Sequence, residues 1–486
     1  MAMLLVLVLS VVGARGCYWN SPCQYQLYGS KTPYDTVRGD IRDYPTPAEC
    51  EAVSLWSINR HGNRNPGTSV TVGMKEVALM KDQILDNYYA GKTQLCAQDA
   101  ENFRKWTWNS TLETSPSFLT GTGYEELFDL GKRIREKYLH LLQGIPEEYY
   151  FRPTNEQRTV TSCAAFVHGF TNDTELNVTV EEARVNDDVV RPYEFCDRYQ
   201  NEVKGGQILA YQLDSYFRTP EYIAVSIAVQ HRLGITNLTA AHIFSIYELC
   251  RFPRSWAANL QSPWCSVFTA ADLLVLEYYD DVRHYHRNGY GSWVNERIGR
   301  LPMKDLYENF EAFPKGYGRK VVAYFTHDTM LEMIYCALGL YKEDSPLQGS
   351  KIDPNRVWRT SKIGVFSVNM LAVLNSCVEP GGRTYRVQIF INEKVTPICP
   401  LEGCTWQQFQ DKFQPFANSS LDFCRMDYVH ENDEPSTNSA SFVKGFWNCT
   451  SSINGLLKML NIQLLMLLTV LNIFVSKPMY LIWNCV

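Results

Sequence analysis

Three times in this chain a short apolar run gives way, at its C-terminal side, to polar residues that open a helix, and this restricts the fold more than any other feature. The segments are SINRHGNRNPG (Ser57 to Gly67), FRPTNEQRTVTSCAAFVHGF (Phe151 to Phe170) and VAYFTHDTML (Val322 to Leu331). Apolar runs without alternation suit strands buried on both faces, as in a parallel sheet covered by helices. The pattern predicts strands at Val53–Ile58, Tyr149–Arg152 and Lys320–Phe325. Apolar spacings of three and four predict helices over Val72–Tyr89, Gly123–Leu142, Thr161–Phe170, Asp272–Arg287 and Thr329–Leu340. Val365–Asn375 and Thr384–Ile391 read as antiparallel strands around the turn PGG at Pro380–Gly382. From Val190 to Arg300 the periodicity is mostly helical. The expected fold is therefore α/β: a sheet flanked by helices, formed by residues 17–189 and 301–450, with a smaller α-helical cap domain inserted at 190–300.

With 486 residues, 45% of them hydrophobic and 20% charged, the chain is long and apolar enough for a large core. A formal net charge of -6 argues against general nucleic-acid binding, which needs a basic surface, but permits a local basic pocket. Residues 1–16 (MAMLLVLVLSVVGARG) read as a secretory signal peptide, with a buried N-terminal strand as the alternative. Export agrees with six Asn-x-Ser/Thr sequons, at Asn109, Asn172, Asn177, Asn237, Asn418 and Asn448. The fifteen cysteines show no paired C-x-x-C ligand spacing, so disulfides are expected rather than a metal site. Cys250 with Cys265 and Cys399 with Cys404 are sequence-local candidates.

At the other end, Met459 to Ser476 run for eighteen residues without a charge, downstream of the polar, small-residue stretch Ser436–Ser452. Within the hydrophobic tail 451–486 this order suits a glycolipid-anchor signal, a retained span and a plain amphipathic helix being the alternatives. Removal of the tail takes Cys485 with it and leaves an even fourteen cysteines. The expected location is the secretory pathway, at the cell surface or outside, ahead of the endoplasmic reticulum lumen.

In an open α/β sheet, ligands bind beyond the carboxyl ends of the strands, where helix N-termini present free N–H groups. The three segments bring Arg60, His61, Arg64, Arg158, His327 and Asp328 to such ends. Singly, each has an ordinary explanation: Arg60 and Arg64 a solvated pair, Asp328 a helix cap, Arg158 an exposed ion-pairing residue. Jointly they form a phosphate-binding set. Guanidinium groups engage phosphoryl oxygens through paired charge-assisted hydrogen bonds, and one such donor is worth on the order of 3 kcal/mol in rate. A neutral imidazole is able to attack phosphorus, which makes His61, between two arginines, the candidate nucleophile. Asp328 is the candidate proton donor to the leaving alkoxide.

RHGNRNP (Arg60 to Pro66) resembles the Arg-His-Gly-x-Arg-x-Pro signature of the histidine acid phosphatases, and THDT (Thr326 to Thr329) resembles their distal His-Asp motif. The resemblance implies His61 as nucleophile, Asp328 as proton donor, Arg60, Arg64, Arg158 and His327 as phosphate ligands, and no metal or other cofactor. Within that superfamily the chain is most similar to the multiple inositol polyphosphate phosphatases. The similarity runs from about Tyr28 to Cys404 and is carried by YGSKTPYDTVRGD, NDDVVRPYEFC, YELCRF and SPWCSVFTAADLLVLEYYDDVRHYHRNGYG, among other stretches. It implies an α/β domain with an α-helical cap and hydrolysis of a small polyanionic substrate, an inositol polyphosphate such as the hexakisphosphate. A broad-specificity acid phosphatase and a catalytically silent binding glycoprotein are the alternatives. One departure stands out: members of this branch carry His-Ala-Glu where this chain has His327-Asp328-Thr329. The shorter acid, one position nearer His327, changes where the proton is delivered, so the resemblance does not carry over which ring position is attacked. An acidic working range is expected, with burial and bound phosphate raising Asp328. Lys75 and Lys320 are candidates for the extra basic groups a polyanion needs, ordinary surface positions being the alternative.

Overall fold

A computed structural model of the protein describes residues 17, 26–172, 176, 178–257, 259, 260 and 262–428. The leader 1–16, the tail 451–486 with its spacer, and the sequons at Asn177 and Asn448 lie outside the described residues. Every element named below belongs to the unit Met1–Met426.

The fold is α/β. Its seven-stranded sheet comprises β1 (Cys50–Arg60), β2 (Tyr149–Pro153), β3 (Val321–Thr326), β4 (Asn369–Glu379), β5 (Gly382–Ile391), β6 (Lys394–Val395) and β7 (Cys404–Thr405). The strand order is β2-β3-β1-β4-β5-β6, with β7 also pairing β5. The three strands read from the apolar runs are parallel neighbours. β3 lies between the other two, its register matching Phe325 to Pro153 on one side and Thr326 to Arg60 on the other. All three therefore stop at the same edge of the sheet, and the polar residues after each share one space. Helices on both faces explain the missing alternation: every residue from Ser54 to Arg60, and all of β2 and β3, is buried.

On one face the helices Gly121–Lys137 and Gln157–Thr171 lay Leu127, Leu130, Ile134, Phe166 and Phe170 against Phe151, Ala323 and Phe325 of the sheet. The other face meets the helices Trp293–Ala312 and Asp328–Ala337. There Asp305 accepts hydrogen bonds from the Trp56 indole at 2.7 Å and the Tyr324 hydroxyl at 3.0 Å, tying two strands to one helix. The described part of 190–300 holds the helices Gln207–Tyr216, Pro220–Leu233, Ala240–Trp256 and Ala270–Asn288 and no strand.

Several boundaries differ from the sequence expectation for local reasons. The helix expected over Val72–Tyr89 is two, Thr68–Ala78 and Lys81–Tyr89, because Met80 N–H donates to Val77 O and tightens the turn between them. The helix expected to reach Leu142 ends at Lys137. Tyr138 leaves helical geometry, and a 3₁₀ turn, Leu139–Leu142, follows. β4 begins at Asn369 rather than Val365, since Ser367 has φ 56° and cannot continue a strand. β1 extends back to Cys50, where it pairs with Cys377 of β4 and is joined to it by a disulfide. Cys17–Cys96 and Cys196–Cys424 are also bonded, as are the two expected pairs, Cys250–Cys265 and Cys399–Cys404. Cys163 and Cys336 are free and buried.

Candidate active site

Beyond the ends of β1, β2 and β3 lies a cavity of about 190 Å³, and all six candidate residues line it: Arg60, His61, Arg64, Arg158, His327 and Asp328. Arg60 is the last residue of β1 and only 1% exposed. Its guanidinium donates to Ser30 O at 2.8 Å and Gly364 O at 2.7 Å, reaches Asp328 Oδ2 at 2.9 Å, and lies 4.7 Å from the centre of the Phe366 ring. Those partners leave it one orientation. His61 follows, its backbone N–H donating to Thr326 O at 3.0 Å and so prolonging the ladder with β3. The next turn of chain is wedged against the start of the helix Gly121–Lys137. A Cβ on Gly62 would stand 2.1 Å from Gly123 O, and one on Gly123 would stand 2.1 Å from Asn63 O. Only paired glycines allow that approach.

The imidazole of His61 has Nδ1 2.8 Å from Gly62 O. A carbonyl only accepts, so Nδ1 carries the hydrogen and Nε2 keeps a lone pair. Burial, then the cations Arg60 and Arg158, push its pKa well below the ordinary histidine value. His61 is thus held neutral in the tautomer a nucleophile needs. His327, with ring centres 5.5 Å apart, is lowered for the same kind of reason: burial first, then Arg158 and Arg191. Arg64 is drawn down to about 9 by burial and by Arg158 and Arg60. Crowded cations whose charge is disfavoured make a site that an anion stabilises.

Asp328 begins the helix that follows β3, and its Oδ1 accepts from Thr329 N–H at 2.9 Å. Burial does raise the carboxyl, but Arg60, His284, Lys31 and His61 together outweigh it and hold it well below the usual carboxylate range. Burial, one of the two causes expected to raise Asp328, is outweighed because the same packing sets Arg60 against it.

The cavity also holds residues that the sequence reasoning missed. Lys31, Arg191, Arg283 and Arg287 line it, giving seven basic side chains against the three carboxylates Glu156, Glu194 and Asp328. A chain of net charge -6 has concentrated positive charge in one place. Arg283 and Arg287, four apart on a predicted helix, share a face, and that spacing was the available signal. His284 lines the cavity as well, its Nδ1 2.9 Å from both oxygens of Glu332, which also accepts from Asn288 at 2.8 Å. Lys75 and Lys320 take no part. Lys75 pairs with Glu113 at 2.6 Å, and Lys320 with Glu148 at 3.2 Å, both away from the cavity. Among the described residues, the one grouping with metal-ligand spacing is Cys17, Cys96 and Asp99, whose two cysteines are bonded to each other.

Among curated proteins, multiple inositol polyphosphate phosphatase 1 of Drosophila melanogaster is 29% identical over 459 residues, covering 90% of this chain and 96% of that protein. Among solved structures, the phytase of D. castellii superposes with a TM-score of 0.65 at 18% identity, over 81% of this chain and 86% of its own. The Bifidobacterium longum multiple inositol polyphosphate phosphatase in complex with inositol hexasulfate gives 0.60 at 15% identity, over 77% and 94%. At those identities the two structures speak to the fold, which they share with this chain. The family model for the histidine phosphatase superfamily (branch 2) matches residues 54–392, from β1 through β5 and across every strand end that lines the cavity. The chain belongs to the histidine phosphatase superfamily, branch 2.

Proposed function

We propose that the chain is a phosphomonoesterase that removes phosphates from inositol polyphosphates, inositol hexakisphosphate included, through a phosphohistidine on His61. One observation carries this: a buried, neutral imidazole faces a cavity in which seven basic side chains outnumber three carboxylates. A single phosphate needs two or three cationic partners. The surplus of Lys31, Arg191, Arg283 and Arg287 suits a substrate bearing several. The relatives named above support the same substrate class.

In this reading Arg60, Arg64, Arg158 and His327 hold the phosphoryl group being transferred. His61 Nε2 attacks phosphorus, the ester P–O bond breaks, and Asp328 gives its proton to the departing alkoxide. Water then attacks the phosphohistidine and Asp328 takes its proton back. The N–P bond breaks, inorganic phosphate leaves, and His61 returns neutral. Asp328, kept ionised chiefly by Arg60, must be protonated for the first step. A bound phosphate both raises it directly and draws on the Arg60 guanidinium. Substrate thus prepares its own acid, and an acidic working range follows.

A broad-specificity acid phosphatase is the second reading, favoured by Asp328 directly following His327. Specificity constants on inositol hexakisphosphate and on nitrophenyl phosphate separate the two, a clear preference for the hexakisphosphate being expected. Equal or reversed values would replace the first reading with the second. The cap at 190–300 belongs to the proposal, since Arg191, Arg283, His284 and Arg287 come from it. So does a route through the secretory pathway. The disulfides suit it, Asn109, Asn237 and Asn418 are exposed for glycosylation, and Asn172 is half-buried. Attachment through the processed tail predicts release from cells by a phosphatidylinositol-specific lipase; continued attachment after treatment would favour a retained span.

A further inference from the structure

Glu156 stands at the N-terminal boundary of the helix Gln157–Thr171, yet its carboxylate caps nothing: the helix start has no side-chain cap hydrogen bond. A Ser, Thr, Asp or Asn in that position ordinarily satisfies its own helix's free N–H groups. Glu156 instead turns into the cavity. One oxygen pairs with the Arg158 guanidinium, and the other lies 2.9 Å from Arg191 Nη2 and 3.7 Å from His327 Nε2. Two of those partners, Arg158 and His327, belong to the proposed seat of the transferred phosphoryl group. The third, Arg191, lines the same cavity. A carboxylate with two oxygens shared between two guanidinium groups has the contacts of an ester's phosphoryl group, with less charge and two free oxygens in place of three.

We propose that Glu156 is an internal competitor for the phosphate seat. It occupies the Arg158–Arg191 fork in the empty enzyme, a substrate phosphate must displace it, and it retakes the fork as inorganic phosphate departs. Its effect is to weaken every single phosphate by a fixed amount. A substrate with several phosphates offsets that loss through Lys31, Arg283 and Arg287, whereas a monophosphate does not. Glu156 then sets the absolute affinity of the seat, which only a substrate with further contacts overcomes, and aids product release.

The inference rests on the phosphatase reading but is read by a different measurement. Binding of inorganic phosphate to the full-length protein is measured calorimetrically, without turnover, in wild type, Glu156→Gln and Glu156→Asp. Glu156→Gln removes the competing charge and is expected to bind phosphate about tenfold more tightly, which corresponds to about 1.4 kcal/mol. Glu156→Asp keeps a carboxylate and is expected to stay near wild type. In turnover, Glu156→Gln should lower KM for nitrophenyl phosphate and for inositol hexakisphosphate by similar factors, since the same seat is relieved in both. Unchanged or weaker phosphate binding in Glu156→Gln would overturn the proposal, because the carboxylate would then be orienting the arginines rather than competing with the ligand. If Glu156→Gln fails to fold, Glu156→Ser is measured by the same criterion. Failure of wild type to turn over inositol hexakisphosphate would remove the substrate reading while leaving the phosphate affinities to decide the role of Glu156.

Discussion

At His61 the hydrogen on Nδ1 is committed to Gly62 O, so the chemistry of the site comes down to whether Nε2 is free of a proton. Burial first, then the neighbouring groups Arg60, Arg158, His327 and Arg64, place the histidine pKa well below 6.5, so His61 stays neutral through mild acidity. The sign is definite. Activity that depends on neutral His61 is lost only as pH falls through that lowered value. The same shift contributes stability above about pH 6.5, where the unfolded histidine is neutral too, and withdraws it as pH falls. An NMR titration of the His61 ring should show no protonation near pH 6.5; an ordinary midpoint would contradict the account. For Asp328, Asp328→Asn is expected to lower kcat/KM, which reads ester cleavage and not the later breakdown of the intermediate, far more for inositol phosphates, whose alkoxide leaves poorly, than for nitrophenyl phosphate. Equal losses on both would mean that another group supplies the proton. These six residues were legible in the sequence because each lies in a short motif at a strand end. Lys31, Arg191, Arg283 and Arg287 were not. They reach the cavity through tertiary packing, and an arginine on an amphipathic helix looks the same whether it faces solvent or substrate.

Among the elements, the junction between the turn after β1 and the helix Gly121–Lys137 fixes where His61, the proposed nucleophile, sits. Gly123→Ala would drive a methyl into Asn63 backbone. It should cost about 1–3 kcal/mol of stability and lower kcat, as overpacking does. A thermal melt and a kcat measurement together check this, and an unchanged variant would show that the turn is free to move. One helical turn on, Glu126 clamps the same junction, accepting from Asn63 N–H and Ser367 Oγ, both at 2.8 Å. Burial raises its pKa to about 7, so its contribution to stability is complete below about pH 4.3 and is lost as pH rises through about 7. Glu126→Gln can accept both hydrogen bonds without titrating. The difference in melting temperature, variant minus wild type, should rise as pH goes from 5 to 8; a constant difference would sink the assignment. The strands were legible from their mostly apolar, non-alternating runs, which suit a doubly covered sheet. Helix ends were less so. The break at Met80 and the stop at Lys137 rest on single turn hydrogen bonds that periodicity does not report.

For the whole molecule, the sheet brings together three segments from separate parts of the chain, and the helices of 190–300 add the basic groups that turn a phosphate site into a candidate polyphosphate site. The alternation of strands and helices made the α/β class readable, while the face that the 190–300 segment turns to the cavity was not encoded in any one stretch. The central claim is the covalent step. Rapid quenching of Asp328→Asn during hydrolysis of nitrophenyl phosphate, followed by mass spectrometry of the peptides, tests it most directly. A good leaving group needs no acid, but the breakdown of the intermediate by water still needs a base. The account predicts accumulated phosphate on His61, absent when His61→Ala is combined with it, and His61→Ala alone without turnover. Steady turnover in His61→Ala, or phosphate trapped on any other residue, would contradict it.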